Sequence, residues 1–373
     1  MAPGFVTDIT YYLNALSITA QWRQACYPEA VHTLALKLHE MVYLSDLELF
    51  KAFFASQVAE AIAHCSPCDL WLQTKLLFQE ISDVAQRPRS NHSVDFIASF
   101  CGASSHSPGG NFAAYTDNLT WLQGLLTASS QAQRVRLFIM EKCAHKASPA
   151  DREVRYNELT DAVKNLVTEI KIVVVEEELR ADDCTAYLKY ISAYYDDLAD
   201  FMFFIHPDIE EHAMMPLVQR VITATLTGVL LPNELPFLYL SHNYLDLAPE
   251  RNNLWETYAV ANLWKKIFSS VLPHRSQIKA YCCSQFMVTR GRVKLRSQNF
   301  YFNALRVFES AESYKQLSPF NVVTPRYDLI CRTPCQLNMP WWHIYFGEPL
   351  TYTKISNRTD TPLFIRLLVS DHY

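Results

Sequence analysis

Glycine is scarce in this chain, and its placement excludes two common classes of nucleotide-binding protein. The 373 residues contain eight glycines, and four of these lie between Gly102 and Gly124. Rossmann folds and P-loop proteins bind phosphates through a glycine-rich turn that follows a strand. Residues 125–227 contain no such turn, so neither class is expected here.

Excess positive charge, long apolar runs and a basic N-terminus are also missing. The chain has 33 Lys+Arg against 38 Asp+Glu, a net charge of −5, so a nucleic-acid partner is not expected. No run of about 18 apolar residues occurs, so no membrane span is expected, and the N-terminal segment lacks the basic region of a leader. We therefore expect a cytoplasmic protein, with its ten cysteines as buried free thiols rather than a disulfide framework.

What the chain has in abundance is apolar sequence, arranged in three segments. Half of the residues are hydrophobic, and the length exceeds what one core usually supports. Residues 1–86 are predicted to form an all-helical N-terminal domain, and residues 87–130 a linker with a connecting helix, since Gly102–Gly110 is rich in Gly, Ser and Pro. Residues 131–373 are predicted to form an α/β domain. Aromatic residues on the N-terminal helices offer a possible surface for a protein partner, with core packing as the alternative: Phe50, Phe53, Phe54 and Trp71.

Strand and helix patterns alternate in the third segment. Short apolar runs alternate with amphipathic segments, which is typical of βαβ units and a mostly parallel sheet with flanking helices. The predicted strands are 135–140, 171–175, 201–205, 237–240 and 280–288. The predicted helices are 152–170, 182–198, 215–230, 254–272 and 297–317.

The stretch from Phe201 to His212, FMFFIHPDIEEH, is the main candidate for a functional site. A buried strand is followed at once by His206, Asp208 and His212, and ligands of open α/β sheets bind outside the carboxyl ends of the strands. Imidazole and carboxylate groups are metal ligands. The alternative is structural, with Asp208 as a helix cap and two acidic residues at the positive end of the next helix.

A second strand also ends in charged residues. Glu176, Glu177 and Glu178 follow the predicted strand 171–175, and Arg180, Asp182 and Asp183 follow them. We expect either part of the same site or a solvated loop that leads into a helix cap.

The order of several short motifs resembles a family of unknown function, the domain-of-unknown-function family numbered 3431, over residues 134–350. The motifs are Thr185-Ala-Tyr-Leu-Lys-Tyr-Ile191, Tyr195-Asp-Asp-Leu198, Phe203-Phe-Ile-His-Pro-Asp-Ile-Glu-Glu-His212, Ser284-Gln-Phe-Met-Val288, Phe300-Tyr-Phe302 and Trp342-His-Ile-Tyr-Phe-Gly347.

That family looks similar to GT-A glycosyltransferases, and the similarity implies an activity. It implies transfer of a sugar from a nucleotide-sugar donor to an unknown acceptor, assisted by a divalent metal, Mn or Mg. The implied metal ligands are Asp208, His206, His212 and His343. The implied catalytic residues are Asp208, Glu211 and Asp183, and the implied substrate-binding residues are Gln285, Arg290, Arg180 and Trp342.

One departure from the family pattern leaves a second function open. Members carry Gly-Arg-Glu or a similar sequence before the Tyr-Leu helix, whereas this chain has Arg180-Ala-Asp-Asp183. The alternative is a catalytically inactive glycosyltransferase-like scaffold or protein-interaction module.

Overall fold

A computed structural model describes most of the chain from residue 87 onward. The described residues are 76, 79–80, 83, 87–100, 119–128, 134–142, 148–175, 182–207, 209–211, 213–246, 254–273, 278–281, 283–309, 341–362 and 365–366. The chain divides into two compact units, Met1–Ser90 and Asn91–Tyr373. Almost all of the predicted helical domain, residues 1–86, lies outside the described residues, including the aromatic residues considered for a partner surface.

A six-stranded sheet organises the second unit, in the order β3-β2-β1-β4-β8-β5. Strands β1 to β4 run parallel, β8 runs antiparallel to its neighbours β4 and β5, and so the sheet is mostly parallel. A two-stranded antiparallel sheet joins β6 to β7. The strands are β1 Ser93–Phe100, β2 Arg134–Glu141, β3 Glu169–Val174, β4 Phe201–Ile205, β5 Phe237–Tyr239, β6 Tyr244–Asp246, β7 Lys279–Tyr281 and β8 Phe286–Thr289.

Helices cover both faces of this sheet. Tyr190 of α3 packs edge-on against Phe138 of β2 on one face, and Tyr156 of α2 lies beside Phe100 on the other face. Strands covered on both sides are buried throughout, which explains why β4 consists of apolar residues alone. The helices are α1 Thr120–Ala128, α2 Pro149–Thr160, α3 Asp182–Ala193, α4 Met215–Leu226, α5 Leu254–Phe268, α6 Arg290–Val293, α7 Gln298–Glu309 and α8 Trp342–Tyr345.

The central strand β1 lies inside the segment that the sequence predicts to be a linker, residues 87–130. It pairs with β2 on one side and β4 on the other, so the α/β unit begins well before residue 131. The sequence conceals this strand because Asp95 interrupts its apolar run. In the folded chain, the Asp95 carboxylate is paired with the guanidinium of Arg136 from β2.

Two further elements differ from the sequence prediction. Residues 280–288 do not form one strand, because β7 and β8 belong to different sheets. The helix predicted over 152–170 ends at Thr160, and the chain then makes turns before it enters β3. Strand β3 begins at Glu169, so residues near 170 belong to the sheet rather than to the helix.

A buried charge cluster holds the amino edge of the parallel strands together. The Arg136 guanidinium donates to both carboxylate oxygens of Asp95 at 2.7 Å, and to the Asp197 carbonyl at 2.7 Å. It also contacts the Asp197 carboxylate, and the Tyr190 hydroxyl donates to Asp95. Because every charge in this cluster has an opposite charge or a hydrogen-bond partner, the cluster tolerates burial and ties β1, β2 and α3 together.

Candidate functional site

The crevice between the carboxyl ends of β1 and β4 is the point where the strand order reverses. From β1 the chain moves outward through β2 to β3, and it then crosses back to place β4 on the other side of β1. In open α/β sheets, ligands bind at such a switch point, outside the carboxyl ends of the strands. Ser99 near the end of β1 and His206 directly after β4 flank the crevice.

Asp183 and His206 form an ion pair at this crevice. The Asp183 Oδ2 atom lies 2.7 Å from His206 Nε2, and the two side chains are 11% and 19% exposed. Asp183 lies in the first turn of α3, where the helix dipole favours a negative charge. The same carboxylate has a cation on its other side, because Lys142 Nζ, just after β2, lies 4.0 Å from Asp183 Oδ1.

These neighbours keep Asp183 ionised in spite of its burial. Desolvation raises the pKa of the Asp183 carboxyl, but the charge of His206, the charge of Lys142 and a hydrogen bond from Ser99 lower it by more. The resulting pKa lies well below the ordinary value of 3.8. Asp183 is therefore a carboxylate anion over the whole physiological pH range.

The end of β2 directs charged residues to both faces of the sheet. Successive side chains of a strand point to opposite faces, so Lys142 lies on the α3 side and Glu141 on the α2 side. Glu141 is fully buried and interacts with Tyr156 of α2, whose pKa is raised by burial and by the charge of Glu141. The charge of Glu141 thus stabilises the packing of α2, while Lys142 belongs to the crevice.

Gln285 lies at the same edge, one strand away from His206. It precedes Phe286, the first residue of β8, and Phe286 pairs with Phe204 near the end of β4. The Gln285 Oε1 atom accepts a hydrogen bond from Ser241 Oγ at 3.1 Å, and Ser241 bridges to Ala213, the end of the loop after β4. Gln285 Nε2 and Ser284 Oγ are buried, and within the described ranges neither has a hydrogen-bond partner. Buried polar atoms are rarely left this way, which makes these two groups candidates for contact with a ligand.

The loop that carries the predicted metal ligands is described only in part. His206 is in the crevice, and Ile209–Glu211 forms a short 3-10 turn. Asp208 and His212 lie outside the described residues, as does Arg180 of the second charged segment. Only the backbone of Glu211 is described, so the role implied for its side chain stays a prediction.

His343 is fully buried, and the structure engages both of its ring nitrogens with protein groups. The Nε2 atom lies 3.2 Å from the Leu350 carbonyl oxygen, and Nδ1 lies 3.0 Å from the Tyr239 hydroxyl oxygen. Because a carbonyl oxygen can only accept, we assign the proton to Nε2, so that Nδ1 accepts from Tyr239. Tyr239 belongs to β5, which is separated from β4 by β8. The structure therefore does not bring His343 to His206 as a metal ligand.

Arg290 and Trp342 have different positions relative to the crevice. Arg290 pairs with Asp200, which precedes β4, so it lies at the amino edge, opposite the edge at which the crevice lies. Trp342 is buried and packs against Tyr187 of α3 at 5.9 Å between ring centroids. The Tyr187 hydroxyl donates to the carbonyl of Ile205, the last residue of β4, at 3.1 Å. Trp342 thus supports the end of β4 through one intervening side chain.

The described residues do not form a metal site by themselves. In the part of the chain that the structure describes, no group of three or more His, Cys, Asp or Glu side chains is arranged to hold a metal ion. Within the same residues, no helix is long and apolar enough to cross a membrane. Any metal bound at the crevice would need ligands from outside the described residues, and Asp208 and His212 are the predicted ones.

Cys184 lies beside Asp183 in α3 and takes part in a disulfide bond, as does Cys283 before β8. This finding corrects the prediction of free thiols at these two positions. The spacing of cysteines along a sequence does not reveal which of them meet in the fold. Disulfides are typical of oxidising compartments and rare in the cytosol, so they give no support to the expected cytoplasmic location.

Comparison with known proteins gives one match. A family model described as "Protein of unknown function (DUF3431)" matches residues 241–329, a stretch that includes β6 to β8 and helices α5 to α7. This match supports the resemblance found in the sequence over that stretch. No curated protein and no solved structure matches the chain.

Proposed function

We propose that the chain is a glycosyltransferase that moves a sugar from a nucleotide-sugar donor to an acceptor hydroxyl, with its active site in the β1–β4 crevice. The observation that carries the proposal is the Asp183–His206 ion pair at the point where the strand order reverses. The resemblance to glycosyltransferases supplies the reaction class, and the chemistry of the crevice residues supplies the roles of the side chains.

The cationic groups of the crevice suit a diphosphate leaving group. Sugar transfer breaks the bond between the anomeric carbon and the diphosphate oxygen, while the acceptor oxygen forms a new bond to that carbon and loses its proton. Negative charge collects on the diphosphate. Lys142, which is largely buried and 4.0 Å from Asp183, and a protonated His206 would stabilise that charge in surroundings where electrostatic interactions are strong.

Asp183 fits a positioning role better than that of a base. Its pKa lies well below 3.8, because the attraction of its cationic neighbours outweighs the effect of burial. A general base works best when its pKa is near the working pH, so a carboxylate this acidic accepts a proton poorly. We propose that Asp183 orients His206, and that Glu211 takes the proton of the acceptor.

A divalent metal, Mn or Mg, remains part of the proposal through Asp208 and His212. Of the other two implied ligands, His206 is paired with Asp183, and His343 has both nitrogens engaged. The residues that the structure describes thus fit a metal only in part. Gln285, with an amide donor that has no partner in the described chain, is proposed to bind the donor or the acceptor.

A thermal-shift screen of UDP- and GDP-sugars, with and without manganese, tests this proposal. A ligand present at a hundred times its dissociation constant stabilises the folded state by about 2.7 kcal/mol. We expect stabilisation that requires both nucleotide sugar and metal, and that disappears in Asp208→Ala. Asp161→Asn is the matched control, since Asp161 forms an exposed ion pair with Lys164 on α2's C-terminal side.

The same screen separates the proposal from the alternative of an inactive scaffold. An active enzyme with a bound donor also releases nucleoside diphosphate, by transfer or by slow hydrolysis, and this product can be measured directly. If no donor shifts the melting temperature with or without metal, and no diphosphate is released, the crevice is not a transferase site and the scaffold function is favoured.

A further inference from the structure

A second cavity lies on the molecule away from the β1–β4 crevice. It has a volume of about 650 Å³ and lies between the end of α5 and the start of α7. This volume falls in the range of small-molecule sites, roughly 300–1,000 Å³. The residues that determine its chemistry are Lys266, Phe268, Arg296, Asn299, Phe300 and Asn303.

The contacts of α7 separate this cavity from the crevice. Gln298 Nε2, at the start of α7, donates to the Ser192 carbonyl at 2.8 Å. Ser192 is near the end of α3, and Asp183 is at the start of the same helix. Nine residues of helix span about 14 Å, so the two sites lie at opposite ends of α3, and the cavity is independent of the proposed transferase site.

The walls of the cavity combine aromatic rings with amide groups. Phe268 and Phe300 lie 6.0 Å apart between ring centroids, and Trp264 lies 4.4 Å from Phe268. Trp264 is buried and its ring nitrogen donates to Ser270 Oγ at 3.0 Å, so it supports Phe268, which is half-buried and faces the cavity. Asn299 and Asn303 add amide donors and acceptors along one side of α7. Rings and amides together suit a ligand that has one apolar face and several hydroxyl groups.

The charge of Arg296 is not balanced by an acidic residue of the cavity lining. The Arg296 guanidinium lies 5.1 Å above the centre of the Phe300 ring, a contact that fixes its position without neutralising it. None of the lining residues is Asp or Glu, and no carboxylate among the described residues pairs with Arg296. An arginine positioned in this way recognises a carboxylate or a phosphate.

We propose that this cavity binds an acidic monosaccharide, a sugar ring that carries a carboxylate or a phosphate. Arg296 binds the anion, the half-buried Phe268 contacts the apolar face of the ring, and Asn299 and Asn303 bind its hydroxyl groups. A uronic acid and a sugar phosphate share this chemistry.

Titration calorimetry on the full chain tests the proposal, with glucuronic acid, glucose 6-phosphate, glucose, benzoate and inorganic phosphate as separate probes. One of the two acidic sugars is expected to bind at least ten times more tightly than glucose, benzoate or phosphate, and whichever binds identifies the kind of anion. If neither acidic sugar binds at millimolar concentration, or if benzoate or phosphate alone binds as tightly, the proposal is wrong.

Two variants and one control locate the binding. Arg296→Ala is expected to weaken binding at least tenfold. Arg306→Ala is the matched control, because Arg306 lies in α7 close to the cavity, is exposed, and covers Phe302 at 4.5 Å rather than a lining residue. If Arg296→Ala does not fold, Asn303→Asp is used in its place. It adds a negative charge at an exposed position of the cavity and is expected to abolish binding of the acidic sugar. Equal binding by the wild type and either cavity variant would overturn the assignment.

Discussion

The ion pair between Asp183 and His206 makes a quantitative prediction for stability. The atoms are 2.7 Å apart, and both side chains are mostly buried. With an effective dielectric constant near 20, the attraction between Asp183 and a protonated His206 at this distance is roughly 6 kcal/mol. The free-energy cost of removing both charges from water offsets several kcal/mol of this attraction. We therefore expect a net coupling energy of about 2 kcal/mol.

A double-mutant cycle in urea measures this coupling. His206→Ala is expected to reduce the free energy of unfolding by about 3 kcal/mol, because it leaves the Asp183 charge buried without its main partner. Asp183→Asn should cost less, and the double variant should cost about 2 kcal/mol less than the sum of the two single changes. Asp161→Asn, at an exposed pair, should change stability by less than about 0.5 kcal/mol.

The pH dependence of the unfolding free energy provides a second test of this coupling. Because the pKa of Asp183 in the folded state is below its ordinary value of 3.8, its contribution is complete above about pH 5 and is lost as the pH falls below about 4. The difference in stability between wild type and Asp183→Asn should therefore be largest near neutral pH and shrink in acid. Additive single changes, or a difference that does not depend on pH, would refute the claim that the pair is electrostatically coupled.

Three other predictions concern the fold. Arg136→Met should cost about 3–5 kcal/mol in urea unfolding, because it leaves a fully buried carboxylate without its cation; a change under 1 kcal/mol would contradict the pairing. Gly347→Ala should cost more than about 1 kcal/mol, since its φ is +79° and an added Cβ would lie 3.1 Å from a leucine side chain. Gly291→Ala, in α6 with no neighbour within 4 Å, should be neutral or stabilising, and equal costs at both glycines would contradict the argument. Reduction should destabilise the chain by about 2–4 kcal/mol per disulfide, and peptide mapping without reductant should show Cys184 and Cys283 in cross-linked peptides rather than as alkylated thiols.

The strands with the strongest apolar patterns could be predicted from the sequence. Strand β4 matches its predicted bounds of 201–205, and β2 at Arg134–Glu141 contains the predicted 135–140. The apolar run alone is enough to predict β2 and β4, because both faces of these strands are buried. It fails for β1, because Asp95 is acceptable inside the sheet only through its contacts with Arg136 and Tyr190. Those partners come from elements far away in the sequence.

The candidate site was predictable to a smaller extent. His206 and Asp183 each follow from a rule about strand ends or helix starts, but their 2.7 Å contact depends on the strand order. Ser99 and Lys142 could not be recognised as site residues from the sequence, because serine and lysine are common at strand ends. Their place in the site is evident only from their position at the crevice. His343 came from a resemblance, and the contact with Tyr239 that occupies its ring leaves no signal in the sequence.

The two ends of α3 show why one buried charge cluster is structural and the other is a candidate site. At the amino edge, Arg136 has a partner for each of its polar groups, and the cluster needs nothing more. At the carboxyl edge, the Asp183–His206 pair lies at the crevice, and one strand away Gln285 retains an amide donor with no partner in the described chain. A buried donor without a partner costs about 1–3 kcal/mol, and a ligand that accepts a hydrogen bond from Gln285 would remove this cost. Among the described residues, such atoms also occur at the amino edge, as at His92 Nε2, so they do not distinguish the two edges. The reversal of strand order is what marks the carboxyl edge as the binding edge.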